Sequence, residues 1–371
     1  MKREQIAPRE DWPRRLAEID YHIANHPDGR PYWREDACYV LREAEVEMLH
    51  NAAIEAQSMI DIAVARVFEQ GRIKSLGLPP AAETLAIDSW RARQPSLYGR
   101  FDFMWDGVGA PILLEYNADT PTALYEAAVV QWRWLVDRDP NADQYNSIQE
   151  KLIERWPACS QGQTIHFATL RDNEEELLTA EYLRECANTA GVSTIALDIT
   201  EIGWSGENFV DADDTPIEAL FKLYPTEWLA TEDFGAHLRA NRPRLIEPPW
   251  RLAASSKALL TELWELFPQS PHLVAAFNER PNQIGDFVTK PILGREGAGV
   301  RFGLRGPDHP VLFDKEPVVY QQRVRAKRFD GYTPVFGVWV VGGEPCGLGV
   351  REDLAEITGP NACFVPHRIG D

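Results

Sequence analysis

The stretch YGRFDFMWDGVGAPILLEYNADTPT, residues 98–122, constrains this chain more than any other. Two runs of aromatic and aliphatic residues, FDFMW and ILLEYN, flank DGVGAP. Asp-Gly followed by Gly and Pro between such runs predicts a β-hairpin. Side chains alternate between faces along a strand, so Arg100 shares a face with Asp102, and Glu115 with Asn117. Pairing about DGVG sets the two sets opposite each other and gathers two carboxylates, an amide and a guanidinium on one patch. With no His or Cys beside them, those oxygens suit a hard cation such as Mg²⁺, which shares its ligands with nucleotide phosphates. The same residues also fit an ordinary hairpin whose outer face carries a solvated salt bridge.

A chain of 371 residues, 44% of them hydrophobic, can bury a large core and is expected to form two or three lobes. A formal charge of -19 with no basic stripe argues against nucleic acid as a partner and mildly favours cationic small molecules such as amines. Cys38, Cys159, Cys186, Cys346 and Cys363 are scattered without CxxC spacing, which reads as reduced thiols and neither a disulfide frame nor a zinc site. The N-terminus carries no apolar leader core and no run is long enough to span a bilayer, so a cytoplasmic location is expected.

Residues 1–30 are polar and broken by Pro8, Pro13 and Pro27, a pattern for a segment wrapping the surface. Val46, Leu49, Ala53, Ile60, Val64 and Val67 keep helical spacing and predict a scaffold helix over 41–68, with a shorter one over 83–92. After the hairpin, NADTPT leads into a helix over 123–138, whose N-terminus beside Thr120 and Thr122 is either simply capped or able to hold a carboxylate on backbone N–H groups. A further helix is expected over 146–156, then a linker over 157–163. Strand 164–170, helix 174–190 and strand 193–199 follow in the order of a right-handed parallel crossover, which opens an α/β unit. The acidic run at 171–176, with Glu174 and Glu175, reads either as a favourable first helical turn or as a site for a cationic amine at a strand's carboxyl end. Residues 219–229 and 244–250 form another pair of elements. Lys222 in the first is either a buried partner or a snorkelling surface lysine. A helix over 255–267 puts Lys257 in its first turn, where a cation opposes the dipole unless it serves a ligand such as phosphate.

FVTKPILGREGAGVRF, residues 287–302, presents Lys290 at the end of an apolar strand, then a loop in which Gly294, Gly297 and Gly299 let backbone N–H groups approach phosphate oxygens. A plain hairpin turn also fits; a Rossmann or P-loop does not, because a strand follows. EPVVYQQRV is a strand ending in polar Gln321 and Gln322, able to offer amide and backbone groups to an adenine ring. A last hairpin over 336–353 turns at Gly342 and Gly343 and delivers Arg351, suited to phosphate or to its acidic neighbours.

Together YGRFDF, LLEYNADTPT, SKALL, KPILGREGAGV and GVRED resemble the glutathionylspermidine synthase family across nearly the whole chain. The resemblance implies an α/β (α+β) protein with a permuted ATP-grasp fold, its metal carboxylates preceding the glycine loop, and an additional open α/β lobe. The expected division is 1–160 for the helical region and metal-site hairpin, 161–250 for the substrate lobe and 251–371 for the nucleotide-binding region. It implies an ATP- and Mg²⁺-dependent ligase joining a glutathione-like peptide carboxylate to a polyamine-like amine, without an amidase domain. Asp102, Glu115 and Asn117 match the family's metal ligands, and Arg100 the arginine steadying the transferred phosphoryl group. Lys257 and Lys290 match its nucleotide-phosphate lysines, and Arg351 its second phosphate-side arginine. Thr120 and Thr122 stand where the family has peptide-holding serines, and Glu174 and Glu175 loosely match its polyamine-binding acids. The same parts fit a phosphotransferase of this fold, or a nucleotide-binding module without catalysis.

Overall fold

The computed structural model describes residues 1–170, 172–239, 243–280, 286–303 and 317–371. Arg171 and Glu316, which begin two of the stretches singled out above, lie outside the described residues. The alternating aromatic pattern folds as two antiparallel strands, Tyr98–Met104 and Ile112–Asn117. Their register sets Arg100 opposite Asn117 and Asp102 opposite Glu115, while Phe101 stacks on Tyr116 across the other face at 4.0 Å. The connection is longer than a two-residue turn. Asp106 Oδ1 accepts the N–H groups of Val108 and Gly109, both at 2.8 Å, and so builds an Asx turn of its own.

This hairpin is the edge of a five-stranded antiparallel sheet, ordered Cys363–Val365, Glu344–Asp353, Thr333–Val341, Tyr98–Met104, Ile112–Asn117. The late hairpin thus lies directly beside the early one, with Gly337 opposite Asp102. A Cβ on Gly337 would come within 2.7 Å of Arg100 Cδ, so glycine there makes room for the Arg100 side chain. A second antiparallel sheet has the order Ala276–Phe277, Val318–Gln322, Phe287–Pro291, Arg301–Phe302. The predicted α/β unit is a fully parallel sheet, Arg244–Ile246, Ala219–Lys222, Ile165–Thr169, Thr194–Asp198, crossed by helix Glu174–Thr189. Every residue of Ile165–Thr169 is buried, as an inner strand of a parallel sheet requires.

Several boundaries depart from the sequence pattern for identifiable reasons. Lys2–Gln5 is a strand paired with Ala37–Leu41, whose other side takes His367–Ile369, so the N-terminus is stitched into a sheet and does more than wrap the surface. The scaffold helix begins at Glu43, because Leu41 ends that strand. The predicted helix over 123–138 divides into a π-helical turn, Glu126–Val130, and α-helix Gln131–Arg138. Helix Ile148–Ser160 runs past Trp156, with Pro157 inside its last turn. Lys257 lies outside any helix, in the break between Trp250–Ser255 and Leu259–Leu266. Its N–H donates to Ile292 C=O at 2.8 Å, so the dipole conflict expected at that position does not arise. No helix among the described residues is long and apolar enough to cross a membrane.

Behind the late hairpin, Glu352 is wholly buried. It accepts two bonds from Arg3, at 2.8 and 2.7 Å, and one from Tyr39 Oη at 2.9 Å. This ties the end of the Glu344–Asp353 strand to the N-terminal sheet. Removing one member of a buried pair leaves the other charge uncompensated. Glu352→Ala is expected to lower unfolding free energy by about 3–5 kcal/mol, measured by urea denaturation; a loss below about 1 kcal/mol would show that the pair contributes only as an exposed bridge does.

Candidate active site

Strands of the two antiparallel sheets and the segments that follow Ile165–Thr169 and Ala219–Lys222 of the parallel sheet line one cleft of about 320 Å³. At its floor the paired strands present Arg100, Asp102, Glu115 and Asn117, and the neighbouring hairpin adds Arg351. Arg100 donates through Nε to Asp102 Oδ1 at 2.6 Å and through Nη2 to Oδ2 at 3.0 Å, and Arg351 Nη2 reaches the same Oδ2 at 2.7 Å. Burial works against the Arg100 charge, but the Asp102 carboxylate more than offsets it and raises the guanidinium pKa. The Asn117 amide nitrogen stands between the carboxylates, 3.1 Å from Asp102 Oδ2 and 3.5 Å from Glu115 Oε1.

Two lysines join the second sheet and the glycine loop to this floor. Lys257 Nζ lies 3.0 Å from Glu115 Oε2 and donates to Gly294 C=O at 2.6 Å. Lys290 Nζ donates across the cleft to Leu114 C=O at 3.0 Å. Burial pushes the Glu115 carboxyl up, yet Lys257 and Lys290 overcome this and hold it at about 2. Burial drives the Lys290 ammonium down to about 8, with Glu115 opposing.

The donor chemistry decides whether a divalent cation fits. Asp102, Glu115 and the Asn117 amide converge within one strand pair and offer only oxygen once the amide is turned over. Among the described residues no group of three or more His, Cys, Asp or Glu forms that could hold a metal by itself. Two carboxylates and an amide suit a hard ion that takes its other ligands from phosphate and water, as Mg²⁺ does. The residues fit such an ion, whose charge would take over the role that Lys257 and the guanidinium groups fill toward these carboxylates.

Gly294 and Gly297 line the cleft, whereas Gly299 shares their loop without lining it. At Gly297, φ is 69° and a Cβ would lie 2.3 Å from Thr358 O, so only glycine fits. Gln321 and Gln322 also line the cleft, with Gln321 Nε2 donating to Leu113 C=O at 3.3 Å.

The opposite end is acidic. Thr120, Thr122, Glu175 and Glu176 line it, whereas Glu174 is exposed and does not reach the cleft. Asn173 caps the helix by accepting the Glu176 N–H at 3.2 Å, which turns the second and third glutamates inward. Burial, then the neighbouring Glu175, pushes the Glu176 carboxyl up to about 7, and its Oε2 is buried without a partner. Behind them Glu126, buried on the π-helical turn, accepts Tyr21 Oη at 3.2 Å. Burial and Glu175 raise it to about 7 as well. Glu176 stood within the acidic run but its facing depends on the cap; Glu126 carried no signal, because the π turn breaks the helical period.

These sheets form an ATP-grasp-type architecture in permuted order with an added open α/β lobe. A glutathione synthetase-like effector from Globodera pallida superposes with a TM-score of 0.58 over 89% of each chain at 10% identity, a likeness of fold alone. The model of the family described as glutathionylspermidine synthase preATP-grasp matches residues 3–370, and the chain belongs to that family. A Haemophilus influenzae protein provisionally named acid–amine ligase is 39% identical over 94% of both chains. The trypanothione synthetase of Crithidia fasciculata is 25% identical over 86% of this chain, which spans 54% of that enzyme's length. The Escherichia coli bifunctional glutathionylspermidine synthetase/amidase is also 25% identical, over 85% of this chain and 56% of its own.

Glu126 and Glu176, both raised to about 7, gain protons and lose negative charge as pH falls through neutrality, and burial pushes the Glu175 carboxyl up in the same direction. Affinity for an alkyl diammonium ion, measured calorimetrically, is expected to fall as pH is lowered from about 8 to about 6; a flat profile would remove these carboxylates from amine binding.

Proposed function

We propose that the chain is an ATP-dependent ligase that joins a peptide carboxylate, glutathione-like in character, to a polyamine-like amine through an acyl phosphate. The observation that carries this reading is the meeting of Asp102, Glu115 and Asn117 with Lys257, Lys290 and the glycine loop around one cleft. Four cationic side chains, Arg100, Arg351, Lys257 and Lys290, face two carboxylates there, a surplus suited to a triphosphate.

The chemistry follows from what each residue can do. A carboxylate does not condense with an amine because its oxygen is a poor leaving group; ATP, as substrate, supplies the phosphoryl group that makes it a good one. Asp102, Glu115 and Asn117 are the residues that would hold Mg²⁺, which when bound neutralises phosphate charge. Lys257 and Lys290 neutralise phosphate oxygens, the loop at Gly294 and Gly297 offers backbone N–H groups, and Arg100 with Arg351 meets charge that develops during transfer. Thr120 and Thr122 hold the carboxylate substrate by hydroxyl groups beside Arg100. Glu175 and Glu176 bind the amine as its ammonium; after one proton passes to water its nitrogen attacks the acyl carbon, the C–O bond to phosphate breaks, and the second proton leaves to water. The family membership and the ligase names of its relatives support this assignment.

The test is an ADP-release screen crossing short peptides with polyamines, read with product mass. ADP release is expected only when carboxylate and amine are both present; release without amine would point to a phosphotransferase that stops at the phosphorylated acid. Asp102→Asn is expected to cut turnover by about 10²–10³-fold, and full activity in that variant would sink the metal-site assignment.

A further inference from the structure

Lys222 ends an inner strand of the parallel sheet, at the carboxyl edge where the sheet opens on the cleft. Its side chain is wholly buried. Nζ lies 2.9 Å from Asp119 Oδ1, Thr226 Oγ1 donates to the same oxygen at 2.7 Å, and the Thr226 N–H donates to Oδ2 at 2.9 Å. Three donors from the α/β lobe therefore converge on one carboxylate of the turn that carries Thr120 and Thr122. Other elements hold the rest of that turn. Ser255 Oγ accepts the N–H groups of Ala118 and Asp119 at 2.7 and 3.1 Å, and Arg100 Nη1 donates to Thr122 C=O at 2.6 Å. Ala123, which closes the turn, has φ 63°, a left-handed conformation that a non-glycine residue keeps only when its surroundings impose it.

A buried lysine–aspartate pair is a weak source of stability, because desolvation consumes most of its attraction; a well-packed apolar pair would serve as well. What the pair supplies is geometry and charge cancellation. Asp119 lines the cleft, where an uncompensated carboxylate would repel a carboxylate substrate. We propose that Lys222, with Thr226, is a positioning residue: by clasping Asp119 it fixes Thr120 and Thr122 against the α/β lobe and lets an anionic carboxylate enter. This role rests on the ligase reading above and adds to it a residue that touches neither nucleotide nor substrate.

The experiment compares wild type, Lys222→Met, Lys222→Arg and the double variant Asp119→Asn/Lys222→Met. It measures KM for the carboxylate, nucleotide affinity by calorimetry, and melting temperature. Lys222→Met is expected to raise the carboxylate KM by about 10-fold or more, to leave nucleotide affinity at the wild-type value, and to lower the melting temperature. Lys222→Arg, which keeps the charge, is expected to restore part of the KM. The double variant leaves no buried charge unpaired and no carboxylate to repel the substrate, so it is expected to recover the melting temperature but only part of the KM, the share lost with the positioning of the turn remaining. Full recovery of both overturns the proposal, as does an equal weakening of nucleotide affinity and carboxylate KM. If wild-type protein couples no carboxylate to any amine, the ligase reading fails and this inference with it, a result distinct from variants that behave as wild type.

Discussion

The structure depends on compensation of buried charge along one strand pair. Arg100, Asp102, Lys257 and Lys290 are each less than a tenth exposed, and Glu115 is held between the two lysines. Taking any one of these ions out of water alone costs several kcal/mol, roughly the net stability of a whole domain. Only the register that sets Asp102 opposite Glu115, with Arg351 delivered from the next hairpin, makes their burial tolerable. The rest of the architecture serves that register. Gly337 clears space for Arg100, Phe101 stacks on Tyr116 to lock the opposite face, and Glu352 anchors the strand that carries Arg351.

Such compensation also divides the cleft into two poles. Cations exceed carboxylates at the end where the two antiparallel sheets meet, whereas Glu175 and Glu176 leave the other end acidic. A chain with a formal charge of -19 thus keeps a local surplus of positive charge at one end of its cleft and a separate negative surface at the other. The Thr120–Thr122 turn lies at the junction, bonded through Thr122 C=O to Arg100 and through Asp119 to the α/β lobe. That turn has the cationic surface on one side and the acidic surface on the other, the order that the proposed two-step coupling needs.

How much of this was legible in the sequence follows from the range of the interactions. Alternation is local, so the facing of Arg100 with Asp102 and Glu115 with Asn117 could be read directly, and pairing about one turn then fixed their register. Lys290 and its glycine loop were legible for the same reason. The partnership of Asp119 with Lys222 spans 103 positions and links two sheets, and no local pattern reports it. Lys257 misled the helix assignment because Ser256 Oγ donates to Leu76 C=O and the Lys257 N–H to Ile292 C=O, tertiary bonds that break the helix at that point. Glu174 and Glu176 are chemically alike; the Asn173 cap sets the rotation that exposes one and turns the other into the cleft. The resemblance to a family supplied the link between early hairpin and late loop that composition and periodicity could not.

The permuted order has a physical consequence for how the site comes into being. Asp102 takes one arginine from two residues away and another from 249 positions along the chain. Without the later segments that carry Lys257, Lys290 and Arg351, Asp102 and Glu115 would be buried without enough counter-charge. The early hairpin therefore cannot bury its polar face by itself and depends on the second half of the chain for its counter-charge. Packing of the two halves and assembly of the cationic end of the cleft are therefore coupled, because Arg351–Asp102, Lys257–Glu115 and Lys290–Leu114 accomplish both. A mutation that weakens any of these bonds acts on stability and chemistry together, whereas the Asp119 clasp, one turn away, is where the two can be separated.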